Sequence, residues 1–110
     1  MLTQYPTLII SVTAQQEFPK NLFVGFDGNL PAANSKALGV IDADTKEGNQ
    51  MPVIVSGVAI VKTASAVNVG DAITTDAAGY AKPVTGSEKI NGYALDAATG
   101  TMQFIRVLLK

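Results

Sequence analysis

Residues 52–62 read PVIVSGVAIVK, two short apolar runs joined by Ser56-Gly57. Runs of this length that are rich in Val and Ile and bounded by turn residues are typical of β-strands rather than amphipathic helices. Because glycine tolerates backbone geometry that other residues avoid, Ser56-Gly57 predicts either a β-bulge or a sharp bend in one long strand. The stretch favours an all-β fold and leaves these two alternatives open.

The same pattern extends in both directions along the chain. Short β-branched runs alternate with Gly, Asn, Asp and Pro, which form tight turns because Gly accepts positive φ and Asn and Asp bond their own backbone. A helix fits only as a single turn, at 42–47 or 64–67. We expect an all-β, single-domain β-barrel or β-sandwich of about eight or nine short strands. The candidates are 7–13, 22–26, 37–41, 52–56, 58–62, 72–75, 80–82, 92–95 and 102–109.

The turn glycines indicate an internal repeat. Offsets of 51, 53 and 52 residues separate three pairs of them: Gly28 and Gly79, Gly39 and Gly92, Gly48 and Gly100. Each copy then enters an apolar strand, at 51–56 or at 102–109. Such a period predicts two pseudo-equivalent β units that pack on each other.

Length and composition describe a small domain with a nearly neutral surface. A chain of 110 residues with 47% apolar residues can bury a core without disulfides, and it contains no Cys. Only 15% of its residues are charged, against about 25% in an average domain. A surface poor in Lys and Glu suits burial against partner proteins. A compact domain rich in Ala and Thr explains the composition equally well.

The charge distribution argues against several classes of partner. Eight basic and nine acidic residues are scattered along the chain, with one Arg and no Trp, whereas nucleic-acid binding needs clustered cations and stacking aromatics. The N-terminus MLTQYPTLII has no basic region, and its apolar run is too short for a signal peptide or a membrane span. We therefore expect no nucleic-acid partner, no membrane partner and no export by that route.

Residues suited to catalysis are scarce, since the chain has no His and no Cys. These residues supply the commonest general base, metal ligand and thiol nucleophile. The densest carboxylate cluster is Asp42, Asp44 and Glu47, but Lys46 and Glu47 occupy positions where a calcium loop needs a ligand and a glycine. We expect these carboxylates to cap backbone amides at strand ends. The sequence predicts no enzyme, no cofactor and no metal site.

The two ends of the chain differ in character. Residues 1–16 lie outside the repeat and form either the first strand of the sheet or an extended arm that adds a strand to a partner, whereas 17–110 form the β domain. The last segment, 102–110, is apolar on both sides and predicts a central buried strand. Within it, Arg106 must reach a sheet edge or an acidic partner. The candidate contact residues in the N-terminal segment are Tyr5, Leu8, Ile9, Ile10 and Val12.

From 22 to 109, the order and spacing of these elements resemble the capsid cement, or head decoration, proteins of tailed bacteriophages. The resemblance rests on five features in sequence order: Gly39-Val40-Ile41, the strand 52–57 leading into 58–61, the turns at 69–73 and 76–80, and GYALDAATG at 92–100. Each feature alone is only a turn signature. Their succession carries the likeness.

The resemblance implies a non-enzymatic structural protein of the virion. Such proteins are often homotrimers, bind the outer capsid surface at junctions between major capsid protein subunits, and stabilise the head; this one would be made in the host cytoplasm. Many weak simultaneous contacts suffice for that role. The N-terminal segment lies outside this resemblance, and as an arm it would contact the capsid through Tyr5, Leu8, Ile9, Ile10 and Val12. The alternative is a ligand- or glycan-binding β module of the virion or tail, for which Tyr80 and Tyr93 are the candidate exposed aromatics.

Overall fold

The computed structural model describes residues 3–109; Met1, Leu2 and Lys110 lie outside the described residues. The described chain folds into eight β-strands and contains no helix, which confirms the expected all-β fold. The strands are β1 (Tyr5–Thr13), β2 (Phe23–Val24), β3 (Gly39–Ile41), β4 (Gln50–Lys62), β5 (Ala72–Thr75), β6 (Ala81–Pro83), β7 (Gly92–Ala94) and β8 (Phe104–Leu109).

The strands form one antiparallel sheet in the order β2-β3-β4-β8-β7-β5-β6, with β1 paired to β4. Ile54 of β4 pairs with Val40 of β3 and with Ile9 of β1. A residue in a strand can pair with one neighbour on each edge of the strand, so β1 and β3 lie on opposite sides of β4. The C-terminal half of β4 pairs with β8 on the edge where β3 ended. A parallel bridge between Thr63 and Ala81 nearly closes the second half of the sheet into a barrel.

The predicted strands 52–56 and 58–62 are a single strand of 13 residues, β4. Gly57 lies in its middle with φ 101°. The pairing with β1 is irregular on the N-terminal side of this glycine, where Thr7 of β1 and Val55 of β4 have no register partner. Ile54 and Ala59, which would point to opposite faces of a regular strand, join the same core. Of the two alternatives left open for Ser56-Gly57, a β-bulge or a sharp bend in one long strand, the structure shows a bulged region, across which the side chains of β4 change face.

The expected pair of pseudo-repeated units is confirmed by the hydrogen bonds. The first unit (5–56) comprises β1, β2, β3 and the start of β4; the second unit (57–109) comprises the rest of β4, β5, β6, β7 and β8. The prediction that the N-terminal segment lies outside the repeat is wrong, because the pairing of Val12 with Met51 in β1 and β4 recurs as that of Val61 with Ile105 in β4 and β8. Backbone bonds of the first unit recur roughly 50 residues later. Examples are Ala14 N to Asn49 O and Thr63 N to Gln103 O, Asn21 N to Ile41 O and Gly70 N to Ala94 O, and Asp42 N to Pro52 O and Leu95 N to Arg106 O.

Each unit has a core built from corresponding positions. The first core contains Ala14, Phe18, Leu22, Val24, Ile41, Met51 and Val53. The second contains the counterparts Val67, Ile73, Ala94, Ile105 and Val107, together with Phe23, Val40 and Ile54 of the first unit. The first unit is therefore buried on both faces, one in its own core and the other in the core of the second unit.

Candidate functional site

β1 is an edge strand, and it carries all five residues that the sequence singled out as contacts. Its nine residues pair with β4, and no other strand between residues 3 and 109 pairs with its outer edge. Tyr5 is 65% exposed, Leu8 53%, Ile9 44% and Ile10 37%, while Val12 is partly buried against the first core. An open edge presents a row of N–H and C=O groups on which another extended chain can pair.

Both faces of β1 continue buried rows of the sheet. Ile9 lies opposite Ile54, which belongs to the second core, and Ile10 lies opposite Val53, which belongs to the first core. Side chains of directly opposite residues share one face. Edge strands are commonly protected by Lys, Pro or a bulge, and β1 has Pro6 and a bulge only at its start. From Leu8 to Thr13 it has no charge and no proline. The sequence of this segment is typical of a central strand, although the segment lies at the edge of the sheet.

Polar side chains fasten β1 to the body of the protein. The Gln4 side chain donates from Nε2 to Asp42 Oδ1 (2.9 Å), and its Oε1 accepts the Ile60 N–H (3.0 Å). Farther along, Gln50 Nε2 donates to Thr13 Oγ1 at 2.9 Å. The edge is thus held at both ends. Sequence reasoning missed Gln4, because a glutamine outside a motif gives no signal of its partners.

An ion pair joins Arg106 of β8 to Asp96 in the segment between β7 and β8. Arg106 donates from Nε and Nη2 to the two carboxylate oxygens of Asp96, each at 2.9 Å, and its backbone N–H also donates to Asp96 Oδ2. These bonds lower the pKa of the Asp96 carboxyl, chiefly through the hydrogen bonds from the Arg106 side chain. They also raise the pKa of Arg106. Of the two alternatives predicted for Arg106, a sheet edge or an acidic partner, the structure shows the acidic partner. β8 is a central strand as expected, but only one of its faces is buried.

A family model for phage cement proteins matches residues 3–109. The chain belongs to the phage cement protein family. A solved structure, the head fiber gp8.5 N base in bacteriophage phi29, is similar with a TM-score of 0.76 and 20% sequence identity, over 94% of this chain and 93% of that one. At this identity the likeness shows the fold. No curated protein sequence matches the chain.

Family membership makes this cement protein a structural component of the phage virion. It also indicates association with the capsid and a structural rather than catalytic role. Across residues 3–109, no helix is long and apolar enough to cross a membrane.

Two carboxylates of the cement protein accept hydrogen bonds from backbone N–H groups in loops and turns. Asp44 Oδ1 accepts the Lys20 N–H at 2.9 Å, and Asp76 Oδ1 accepts the N–H groups of Ala78 and Tyr80 at 2.9 Å. In the part of the chain that the structure describes, no group of three acidic side chains is arranged to hold a metal ion. Of the cluster expected to cap backbone amides, Asp44 does so, whereas Asp42 accepts the side-chain amide of Gln4 instead.

The two tyrosines considered for a ligand site lie in different surroundings. Tyr80 packs against the first core of the cement protein and is partly buried. Tyr93 is 38% exposed on β7, opposite Leu108. A sugar-binding platform needs aromatic faces open to solvent on one surface. Of these two tyrosines, only Tyr93 meets that requirement.

Proposed function

We propose that this cement protein binds the outer surface of the phage head through β1 and stabilises the shell. The observation that carries the proposal is the open, uncharged edge from Leu8 to Thr13, which exposes Leu8 and Ile10 on one face and Ile9 on the other. An extended segment of the major capsid protein that pairs with this edge would gain backbone hydrogen bonds and cover Leu8, Ile9 and Ile10. In this arrangement residues 1–16 are the contact segment and 17–110 the β domain.

The strength expected of one such contact is modest. Complete burial of a large aliphatic side chain contributes about 1.5–3 kcal/mol. Leu8, Ile9 and Ile10 are already about half covered by β4 and the cores, so each adds roughly 1 kcal/mol when a partner covers it. Association itself costs several kcal/mol. Firm holding therefore requires several contacts made at once.

A homotrimer supplies those contacts. Three copies related by closed symmetry present the same edge three times, which matches a threefold junction of capsid subunits. Linked contacts raise the effective concentration of the second and third edges and strengthen binding without any new interaction. The protein would act without catalysis and without a cofactor. We place it on the outer capsid surface after synthesis in the host cytoplasm.

Sedimentation with emptied, expanded phage heads tests this proposal. We expect the wild-type protein to pellet with the heads at a fixed ratio to the major capsid protein and to raise their melting temperature. The double substitution Leu8→Lys and Ile9→Lys places two charges in the contact and should weaken binding at least tenfold. Met102→Lys is the matched control, because Met102 is also apolar and 55% exposed but lies beyond the other end of the β4–β8 pair.

Two outcomes would overturn the proposal. In the first, the wild-type protein stays in the supernatant at saturating concentration. In the second, the β1 double variant, shown by circular dichroism to be folded, binds heads as tightly as the Met102→Lys control. Equal binding would place the capsid contact on another surface.

A further inference from the structure

Corresponding residues on one face of the sheet are buried in the first unit and partly exposed in the second unit. In the first unit, the row formed by Phe23, Val40 and Ile54 is fully buried, because the core of the second unit covers it. The register pairs Phe23 with Val40 and Val40 with Ile54. These three large apolar side chains are kept from water by the second unit.

The corresponding row of the second unit has no cover in the described chain. Ala72 pairs with Tyr93, and Tyr93 pairs with Leu108, in the same register as the buried row. Tyr93 is 38% exposed, and Ala72 and Leu108 are partly exposed. Val58 and the 65% exposed Tyr5 extend the row across β4 and β1. We call Val58, Ala72, Tyr93 and Leu108 the outer row.

No residue of the outer row is charged, and Lys62 and Arg106 are the charged residues that share its face on β4 and β8. The nearest charged groups on β8 and the turn before it, Arg106 and Asp96, neutralise each other through their ion pair. A neutral apolar surface can approach another copy of the same protein without repulsion between like charges. The buried row of the first unit shows that a β unit of this chain is a suitable cover.

A turn of the first unit carries the exposed side chains that such a contact needs. In Gly25–Asn29, Gly25 N donates to Asn29 O and Gly28 N donates to Gly25 O; in Asp76–Tyr80, Asp76 N donates to Tyr80 O and Gly79 N donates to Asp76 O. The two turns are therefore counterparts. The second-unit turn packs on the first unit, where Gly79 O accepts the Phe23 N–H at 2.8 Å.

The first-unit turn differs from its counterpart in the size of its apolar residues. Phe26 is 65% exposed and Leu30 39% exposed, whereas the corresponding positions in the second unit are Ala77 and Ala81. Within the chain, this turn bonds only its own unit among the described contacts, through Gly28 O and the Gln15 N–H. Phe26 and Leu30 are therefore exposed at the first-unit turn, whereas the second-unit turn contacts the other unit.

We infer that the Phe26–Leu30 turn of one copy packs on the outer row of a second copy. Inside the chain the second-unit turn contacts the first unit; between copies the first-unit turn would contact the second unit. The contact is head-to-tail, so it closes into a ring or extends as a filament. The inference rests on the proposed homotrimer and identifies its interface: three copies would form a ring of six β units.

Sedimentation velocity on the isolated protein tests the interface. Phe26→Asp and Tyr93→Asp each place a charge in the proposed contact, and each should convert trimers to monomers. Met102 is a third exposed apolar residue, and its φ of 60° is a conformation that Asp adopts more readily than most residues. Met102→Asp should therefore leave trimers intact. If Tyr93→Asp unfolds, Tyr93→Ser replaces it in the test. This variant removes the ring from the contact without adding a charge and should also shift trimers toward monomers.

Mixing distinguishes a head-to-tail contact from a face-to-face one. A Phe26→Asp copy retains its outer row and a Tyr93→Asp copy retains its turn, so the mixture should form dimers and no larger species. The combined variant Phe26→Asp with Tyr93→Lys should recover trimers through charge pairing. If Phe26→Asp leaves the oligomer intact, or if Tyr93→Asp breaks it while mixing yields no dimers, the inference is overturned.

Failure of this inference is separable from failure of the capsid-binding proposal. A wild-type protein that is monomeric in solution yet pellets with heads at a fixed ratio would overturn the self-association surface alone. Trimers that carry Leu8→Lys and Ile9→Lys and still bind heads would overturn the β1 contact alone.

Discussion

Gly57 lies where the Cβ of any other residue would overlap the backbone oxygen of Tyr5. The same Cβ would lie 2.7 Å from the Thr7 nitrogen, and the backbone at Gly57 has φ 101°. This contact joins the point where β4 passes from one unit to the next with the point where β1 begins. The bulge and the placement of the edge strand therefore depend on one residue without a side chain.

Gly57→Ala should displace the start of β1 from β4. A residue with a side chain at this φ costs about 1–3 kcal/mol, and the overlap with Tyr5 adds to that cost. We expect a loss of stability larger than that of Gly48→Ala, which has φ +85° but open space around its Cβ position. Urea unfolding measures both variants. Equal losses would show that the approach of β1 is not what requires glycine.

Asn91 joins the two units and should be sensitive to truncation. Its side-chain oxygen accepts the Ala37 N–H at 2.8 Å, and its Nδ2 donates to Ser35 O at 3.0 Å. Asn91 is 2% exposed, so Asn91→Ala leaves buried polar groups without partners, at about 1–3 kcal/mol each. We expect a total loss of roughly 2–5 kcal/mol in urea unfolding. The exposed Asn49 provides the control, and an Asn91→Ala variant as stable as Asn49→Ala would contradict this role.

Corresponding positions in the two units should respond unequally to truncation. Ile54 is fully buried between the units, and Ile54→Ala should cost about 2–5 kcal/mol. Its counterpart Leu108 is partly exposed, so Leu108→Ala should cost the isolated chain about 1 kcal/mol while weakening self-association. Urea unfolding at low protein concentration and sedimentation velocity separate the two effects. Equal losses in the monomer would mean that the outer row is already covered within the chain.

Acid should weaken the contribution of the Asp96–Arg106 pair. Because the pKa of Asp96 is lower in the folded protein than in the unfolded chain, its contribution is complete above the unfolded value of about 3.9. It is lost as pH falls through the lower folded pKa. The stability difference between wild type and Asp96→Asn should therefore stay constant at neutral pH and shrink in strong acid. A difference that does not change between pH 6 and strong acid would show that ionisation of Asp96 does not matter.

Much of the fold follows from sequence because its local signals agree. Runs of β-branched residues between Gly, Asn and Asp turns located the strands, and the turn glycines at 28 and 79 located the repeat. Both glycines have positive φ in the structure. The segment 22–26 shortened to the two residues of β2, because Gly25 already bonds Asn29 as the first residue of a turn. No local pattern distinguishes such a turn from the end of a strand.

The features that depend on long-range pairing were less accessible. The apolarity of β1 was visible, but its place at the sheet edge follows from the strand order, which the sequence does not contain. The choice between bulge and bend at Ser56-Gly57 required the pairing with Tyr5. Likewise, the sequence predicts that Arg106 reaches a sheet edge or an acidic partner, whereas the pairing with Asp96 depends on the turn that leads from β7 to β8.

Site-specific cross-linking to the capsid tests the central claim most directly. The chain has no native Cys, so a single Cys at position 8 can carry a photoactivatable cross-linker before the protein is mixed with expanded heads. We predict a covalent adduct with the major capsid protein from Leu8→Cys and none from Met102→Cys. Adducts from Met102→Cys alone, with Leu8→Cys bound to the heads but not cross-linked, would contradict the assignment of β1 as the capsid contact.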